Sequence, residues 1–183
     1  MKRSVVVLLV AALILFAAIP SMAAVPGKSA IEVGTFFVSG GTDYVGQINY
    51  RATDSLSFGA AIEPFSGTVS GFSFSGTATS LWAHYYFAPS EKADPYLLAQ
   101  FNTANVTVSG FGSASASATI LGVGTTYRVN DFVRLRGAVG FVNGRTSYNV
   151  GATYDFSERT YGAIGLAGGS GTSNLYLGIG TRF

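Results

Sequence analysis

The chain carries one histidine, His84, and no cysteine, so acid–base or nucleophilic chemistry would have to run through a single imidazole. A general base must reach the proton it takes, and an activated nucleophile needs that base oriented by a third group. His84 stands between Ala83 and Tyr85 with no nucleophile or orienting carboxylate near it in the sequence. It is read as a hydrogen-bonded interior residue, and no catalytic residue is assigned. One histidine and scattered carboxylates give no metal-ligand spacing, so no metal is assigned either. The glycine pairs Gly122/Gly124 and Gly178/Gly180 lack the helix and lysine of a phosphate cradle; Lys28 and Lys92 are the only lysines after Lys2. No cofactor is expected. Asn105-Val106-Thr107 matches a glycosylation triplet and is read as chance.

The remaining charges are more informative, because they recur with a period of two. Glu32, Arg51, Glu63, Arg128, Arg134, Arg136, Asp155 and Arg182 each fall on the polar side of an alternating segment. Ten such segments are read, near 31–39, 44–52, 56–65, 77–87, 96–106, 118–128, 132–142, 147–156, 160–168 and 175–183. Tyr44, Ile48 and Tyr50 oppose Gln47, Asn49 and Arg51. Leu56, Phe58 and Ile62 oppose Ser57 and Glu63. Val133, Leu135, Val139 and Phe141 oppose Arg134 and Arg136, and Val150, Tyr154 and Phe156 oppose Asn149 and Asp155. In 77–87, Leu81, Ala83, Tyr85 and Phe87 are placed outward so that His84 faces in. Alternation at this length describes strands with one oily face.

Composition decides what that oily face meets. Only 11% of residues are charged and 48% are hydrophobic, against about 25% charged in soluble domains. A soluble β-sandwich would need a charged exposed face, and these strands lack one. No segment after residue 23 has the apolar length of a spanning helix. Only helices and closed barrels satisfy their backbone hydrogen bonds in lipid. The expected fold is therefore all-β: a single antiparallel up-and-down transmembrane β-barrel. Ten strands are favoured, since each hairpin has its own turn signal; merging two hairpins would leave eight.

Both ends of the chain carry sorting patterns. Lys2 and Arg3 precede an uncharged apolar run from Val5 to Ile19, then Ser21-Met22-Ala23. This reads as a secretory signal peptide over 1–23, too short to span a bilayer, leaving 24–183 as the barrel domain. Without Lys2 and Arg3 the basic and acidic residues balance, so the basic isoelectric point of the whole chain gives no reason to expect nucleic acid. At the other end, Leu175, Leu177, Ile179 and Thr181 alternate with Tyr176, Gly178, Gly180 and Arg182 before the terminal Phe183. This stretch resembles the terminal strand of Gram-negative outer-membrane β-barrel proteins. The resemblance implies an outer-membrane location with both termini periplasmic, outer-membrane lipids as surroundings, and barrel-insertion machinery reading Leu175, Leu177, Ile179 and Phe183.

The connections alternate between short charged turns, such as Thr53-Asp54-Ser55 and Ser157-Glu158-Arg159, and a second set, Ser39 to Asp43, Ser66 to Gly76, Thr107 to Ser117, Asn143-Gly144-Arg145 and Gly168 to Asn174. The short set is expected on the periplasmic side, with an aromatic girdle of Tyr85, Phe87, Tyr96, Tyr127, Phe132, Tyr154, Phe156, Tyr161 and Phe183 at that level. The eight inward charges are expected to form an ion-pair network, either plugging the lumen or lining a narrow, anion-favouring pore. No charge occurs from Pro64 to Ser90 or from Pro95 to Tyr127. Phe72, Phe74 and Phe111 at those outer tips form either a contact surface for an unidentified ligand or a self-packed cap. The resulting expectation is a non-enzymatic envelope barrel with a structural or surface-interaction role. A narrow porin-like channel is the alternative, and an envelope hydrolase ranks last.

Overall fold

A computed structural model describes residues 28–38, 41–69, 71–169 and 172–183. The signal-peptide reading of 1–23 lies outside these residues. Ten strands follow in chain order: β1 Ala30–Val38, β2 Gly41–Thr53, β3 Leu56–Val69, β4 Phe72–Tyr86, β5 Ala93–Val108, β6 Gly112–Arg128, β7 Val133–Val142, β8 Arg145–Asp155, β9 Thr160–Gly169 and β10 Thr172–Arg182. Every pair is antiparallel, each strand neighbours the next, and β10 closes on β1. No sheet edge is left open, which an apolar surround demands. Lys28 and Phe183, the first and last described residues, lie at one end of the barrel, with the turns β2–β3, β4–β5, β6–β7 and β8–β9; this is the terminal end.

Side-chain alternation sorts the residues as period-two geometry requires. Exposed apolar residues run along the outer wall, including Ile48, Phe58, Ile62, Leu81, Leu97, Phe101, Leu121, Val123, Val139, Val150 and Ile164. The opposite parity is buried in the bore: Glu32, Gln47, Asn49, Ser57, Trp82, His84, Gln100, Asn102, Arg136, Asn149 and Tyr176. Leu175, Leu177 and Ile179 face outward on β10, and the Phe183 amide donates to the Ser29 carbonyl at 3.0 Å.

Two features differ from the sequence reading. Tyr96 and Tyr161 are not part of the aromatic girdle; they share the inward parity and are buried. A Cβ at Gly124 or Gly180 would collide with the ring of Tyr96 or Tyr161 respectively, so each ring occupies space that a glycine vacates. Tyr50, Tyr85, Phe87, Tyr127, Phe132, Tyr154, Phe156 and Phe183 remain exposed.

The second difference is strand length. β3 to β6 contain 14, 15, 16 and 17 residues, longer than the 9–11 of a tilted span. Segments 66–69, 72–76, 107–108 and 112–117 lie beyond the strand bounds read from the sequence; the alternation runs on through these outer hairpins and continues the ladder there. Their Ser, Thr and Val residues keep the alternation, and with no charge or proline to interrupt it the pairing runs up to turns at Gly71 and Gly110, both at positive φ. By contrast β7 and β8 close at once through Asn143-Gly144, at φ 49° and 74°, the two-residue turn whose twist matches that of the strands.

In this four-stranded extension the two faces exchange polarity. In the barrel wall the outward rung Ala60–Leu81–Phe101–Thr119 is mostly apolar. Three rungs higher the outward residues are Ser66, Ser75, Thr107 and Ser113. The inward face turns apolar there: Val106 and Val108 are buried against half-buried Phe65, Phe74, Phe111 and Ala114. Above the apolar wall the extension carries a polar outward face and a small core of its own.

Candidate functional site: the barrel interior

The residues that could do chemistry face one another across the bore, near the terminal end. Asp155 on β8 accepts from Arg134 on β7 at 2.5 Å and from Arg182 on β10 at 2.6 Å. One carboxylate therefore holds two guanidiniums, one from the neighbouring strand β7 and one from β10, two strands away on the other side. Arg182 also lies over the Tyr161 ring, 4.5 Å from its centroid. Charge-assisted contacts of this kind are the strong ones.

Glu32 is satisfied differently. Gln47 Nε2 donates to its Oε1 at 2.6 Å, and the Tyr176 hydroxyl donates to the same oxygen. Tyr176 fits because Gly34 opposite and Gly178 on its own strand leave room for the ring. Among the described residues no arginine reaches Glu32 or Glu63 in an ion pair. Glu63, half-buried, sits on β3 toward the other end of the bore.

The other basic residues have distinct fates. Arg51 stacks over Tyr86, 3.9 Å from the ring centroid, and donates to the Asp54 carbonyl. Arg136 is buried, and its Nη2 has no hydrogen-bond partner; neither do Arg51 Nε and Nη1. Arg128, placed in the lumen by its parity, is exposed. It ends β6, where the wall stops and the side chain reaches solvent at the mouth, so it does not belong to the interior cluster. The eight expected charges thus make one bridged triad, two separate carboxylates, two arginines without carboxylate partners and one mouth residue.

His84 is buried against aromatic rings, with Tyr96 at 4.6 Å and Tyr86 at 6.2 Å between centroids. Among the described residues its Nδ1 has no hydrogen-bond partner, so no carboxylate holds the ring through that nitrogen as a catalytic triad would. Trp82 Nε1 donates to Asn49 Oδ1 at 3.4 Å, and a Cβ at Gly59 would collide with its indole. Gln100 Nε2 donates to Asn102 Oδ1 at 2.7 Å.

The sequence reading missed Tyr96 and Tyr161 as interior residues and the amides Gln100 and Asn102, while Tyr86 and Tyr176 lie on the inward side as alternation places them. The available signal was parity combined with cross-strand glycine: Tyr96 pairs with Gly124, and Gly180 with Tyr161. At the outer tips, Phe72 and Phe111 meet edge-on at 4.9 Å, and Phe65 and Phe74 at 6.4 Å. Phe72 is exposed, while Phe74 and Phe111 are half-buried in the cluster beneath it.

Among solved structures, the KdgM porin is similar to the chain with a TM-score of 0.53 at 10% identity, covering 84% of this chain and 99% of the porin. The same porin in complex with disordered oligogalacturonate gives 0.52 at 10% identity, again with 84% and 99% covered. The N-terminal β-barrel domain of Pseudomonas aeruginosa OprF is 22% identical over 85% of this chain and 97% of that one, with a TM-score of 0.47. No protein-family model matches the chain, and no curated protein sequence does. Closed antiparallel topology, an apolar outer wall and a polar bore together with this likeness give the chain the fold of the outer-membrane β-barrel proteins.

Proposed function

We propose that the protein is a non-enzymatic integral barrel of a Gram-negative outer membrane, with its bore sealed by its own side chains and its role structural or surface-interacting. The observation that carries this reading is the inaccessibility of the inward residues. Asn49, Ser57, Ile120, Tyr161 and Tyr176 have no exposed surface, and Glu32 and His84 only 1%. Side chains lining an aqueous channel would be wetted; these are packed into one another, as the interior of a narrow barrel permits. The outer wall of Ile, Leu, Val and Phe supports lipid as its surround. Termini on the same side as the short turns support a periplasmic placement of both. Leu175, Leu177, Ile179 and Phe183 on the closing strand are the residues we assign to recognition by insertion machinery.

A second reading, a narrow porin-like channel, is favoured by Arg51 and Arg136. Both lie in or at the bore without a carboxylate partner, and unpaired buried guanidinium is costly unless an anion visits. The KdgM porin, which shares the fold, has been seen with oligogalacturonate.

Planar-bilayer conductance of the refolded barrel separates the two. A folded but silent barrel is expected. Discrete current steps whose anion preference falls in Arg51→Gln or Arg136→Gln would replace the sealed reading with the channel.

A further inference from the structure

We propose that the outward face of the β3–β6 extension is a contact surface for the neutral sugars of lipopolysaccharide around the barrel. This rests on the integral outer-membrane reading above. The face continues the lipid-facing wall: the same strands and the same parity pass from Leu81, Phe101 and Leu121 into Ser75, Thr77, Asn105, Thr107, Ser113 and Ser115. It therefore points sideways, at whatever adjoins the barrel above the hydrocarbon, and not into the mouth. Six residues of β5 separate Phe101 from Thr107; at ~3.4 Å per residue and a tilt of ~40° the face rises roughly 16 Å above that apolar rung. That is the level of the sugar layer in an outer leaflet built from lipopolysaccharide.

The chemistry of the face fits sugar hydroxyls and not phosphates. Those six residues, with Gly76, Val106 and Ala114 between them, line a shallow groove of about 580 Å³. Each carries a hydroxyl or amide that can both donate and accept, as a sugar ring does; the Thr107 and Ser113 hydroxyls bond each other at 2.8 Å and keep further capacity toward a sugar. The four strands carry no charge from Pro64 to Ser90 or from Pro95 to Tyr127, so ionic capture of phosphate has no donor here. Neighbouring strands lie ~4.8 Å apart and alternate residues ~6.8 Å apart along each strand, so the hydroxyls form a grid at the scale of one pyranose ring. The apolar cluster on the other side, Val106 and Val108 beneath Phe65 and Phe74, stiffens the sheet so that the grid is pre-formed. A pre-ordered polar surface binds with less entropy lost.

The test is the heat-modifiability midpoint of the full chain, processed and inserted by a Gram-negative host, then placed in vesicles of phospholipid alone, of deep-rough lipopolysaccharide lacking the core hexoses, or of lipopolysaccharide with a complete core. The wild type is expected to gain about 3 °C or more from the complete core over the deep-rough form, on the scale of a 1 kcal/mol stabilisation for a chain of this size. Thr77→Val/Thr107→Val/Ser113→Ala keeps shape and strand propensity and should lose that gain while matching wild type in phospholipid. If the triple variant fails to fold, Thr107→Val alone should lose part of the gain. Equal midpoints with the two lipopolysaccharides, or an unchanged gain in the folded variants, would overturn the proposal while leaving the barrel reading intact. The same gain from soluble dextran in phospholipid vesicles would also overturn it, by assigning the face to free glycans. A chain that never becomes heat-modifiable in any bilayer would overturn the membrane reading and this proposal together.

Discussion

At the scale of single residues, Asp155 organises the charge at the terminal end. It receives Arg134 and Arg182 and is itself buried. Removing one partner of a buried ionic cluster leaves uncompensated charge, at a cost of about 3–5 kcal/mol. Asp155→Asn is expected to destabilise the folded barrel by about 3 kcal/mol; urea unfolding followed by the fluorescence of the single tryptophan, Trp82, measures it. A loss below about 1 kcal/mol would mean that water or other groups compensate the arginines. The arginines without carboxylate partners behave differently. Arg51 keeps part of its stabilisation from Tyr86, because a guanidinium over a ring is attracted by the quadrupole. No such ring contact is seen for Arg136.

At the scale of elements, the change of polarity along β3–β6 is the most informative property of the chain. The outward residues of β6 are Thr119, Leu121, Val123, Thr125 and Tyr127 in the wall but Ser113, Ser115 and Ser117 above it. A charge placed in the lipid-facing band should therefore be penalised and one placed on the extension should not. Val123→Arg is expected to cost about 2–4 kcal/mol and Ser115→Arg at most about 1 kcal/mol, measured as the shift in folding midpoint in phospholipid vesicles. Equal costs would move the edge of the apolar belt up the extension. The same four strands explain why the alternation signal outran the expected strand lengths. A hairpin freed from the membrane needs only its own pairing and core to continue, and Phe65, Phe74, Val106 and Val108 supply that core.

At the scale of the whole molecule, closure of β10 on β1 makes folding depend on the last residues of the chain. Phe183 is exposed, and its amide holds the Ser29 carbonyl across the seam. Deleting Phe183 removes this seam hydrogen bond and the terminal aromatic together. Insertion in cells is expected to fall several-fold, scored as the heat-modifiable fraction in isolated outer membranes, while refolding of the purified truncated chain in detergent should persist. Equal loss in both settings would assign Phe183 to barrel stability instead of recognition by the insertion machinery.

By itself the sequence determined the closed antiparallel order and the facing of most side chains and favoured ten strands over eight; closure of β10 on β1 decided the number. Period-two alternation in a charge-poor chain has one solution in lipid, and a one-residue slip would turn every polar residue outward. That is why Gln47, Asn49, Ser57, Trp82, His84 and Asp155 lie where alternation places them. The ends of β3 to β6 were not legible in the same way, because uncharged Ser and Thr suit a loop as well as the outward side of a sheet above the membrane. Nor was the pairing inside the bore. Which guanidinium meets which carboxylate depends on register across three strands and on rings seated over glycines in the opposing wall. Local sequence cannot specify those distances, so only the closed barrel brings Arg134, Asp155 and Arg182 together and leaves Arg128 at the mouth.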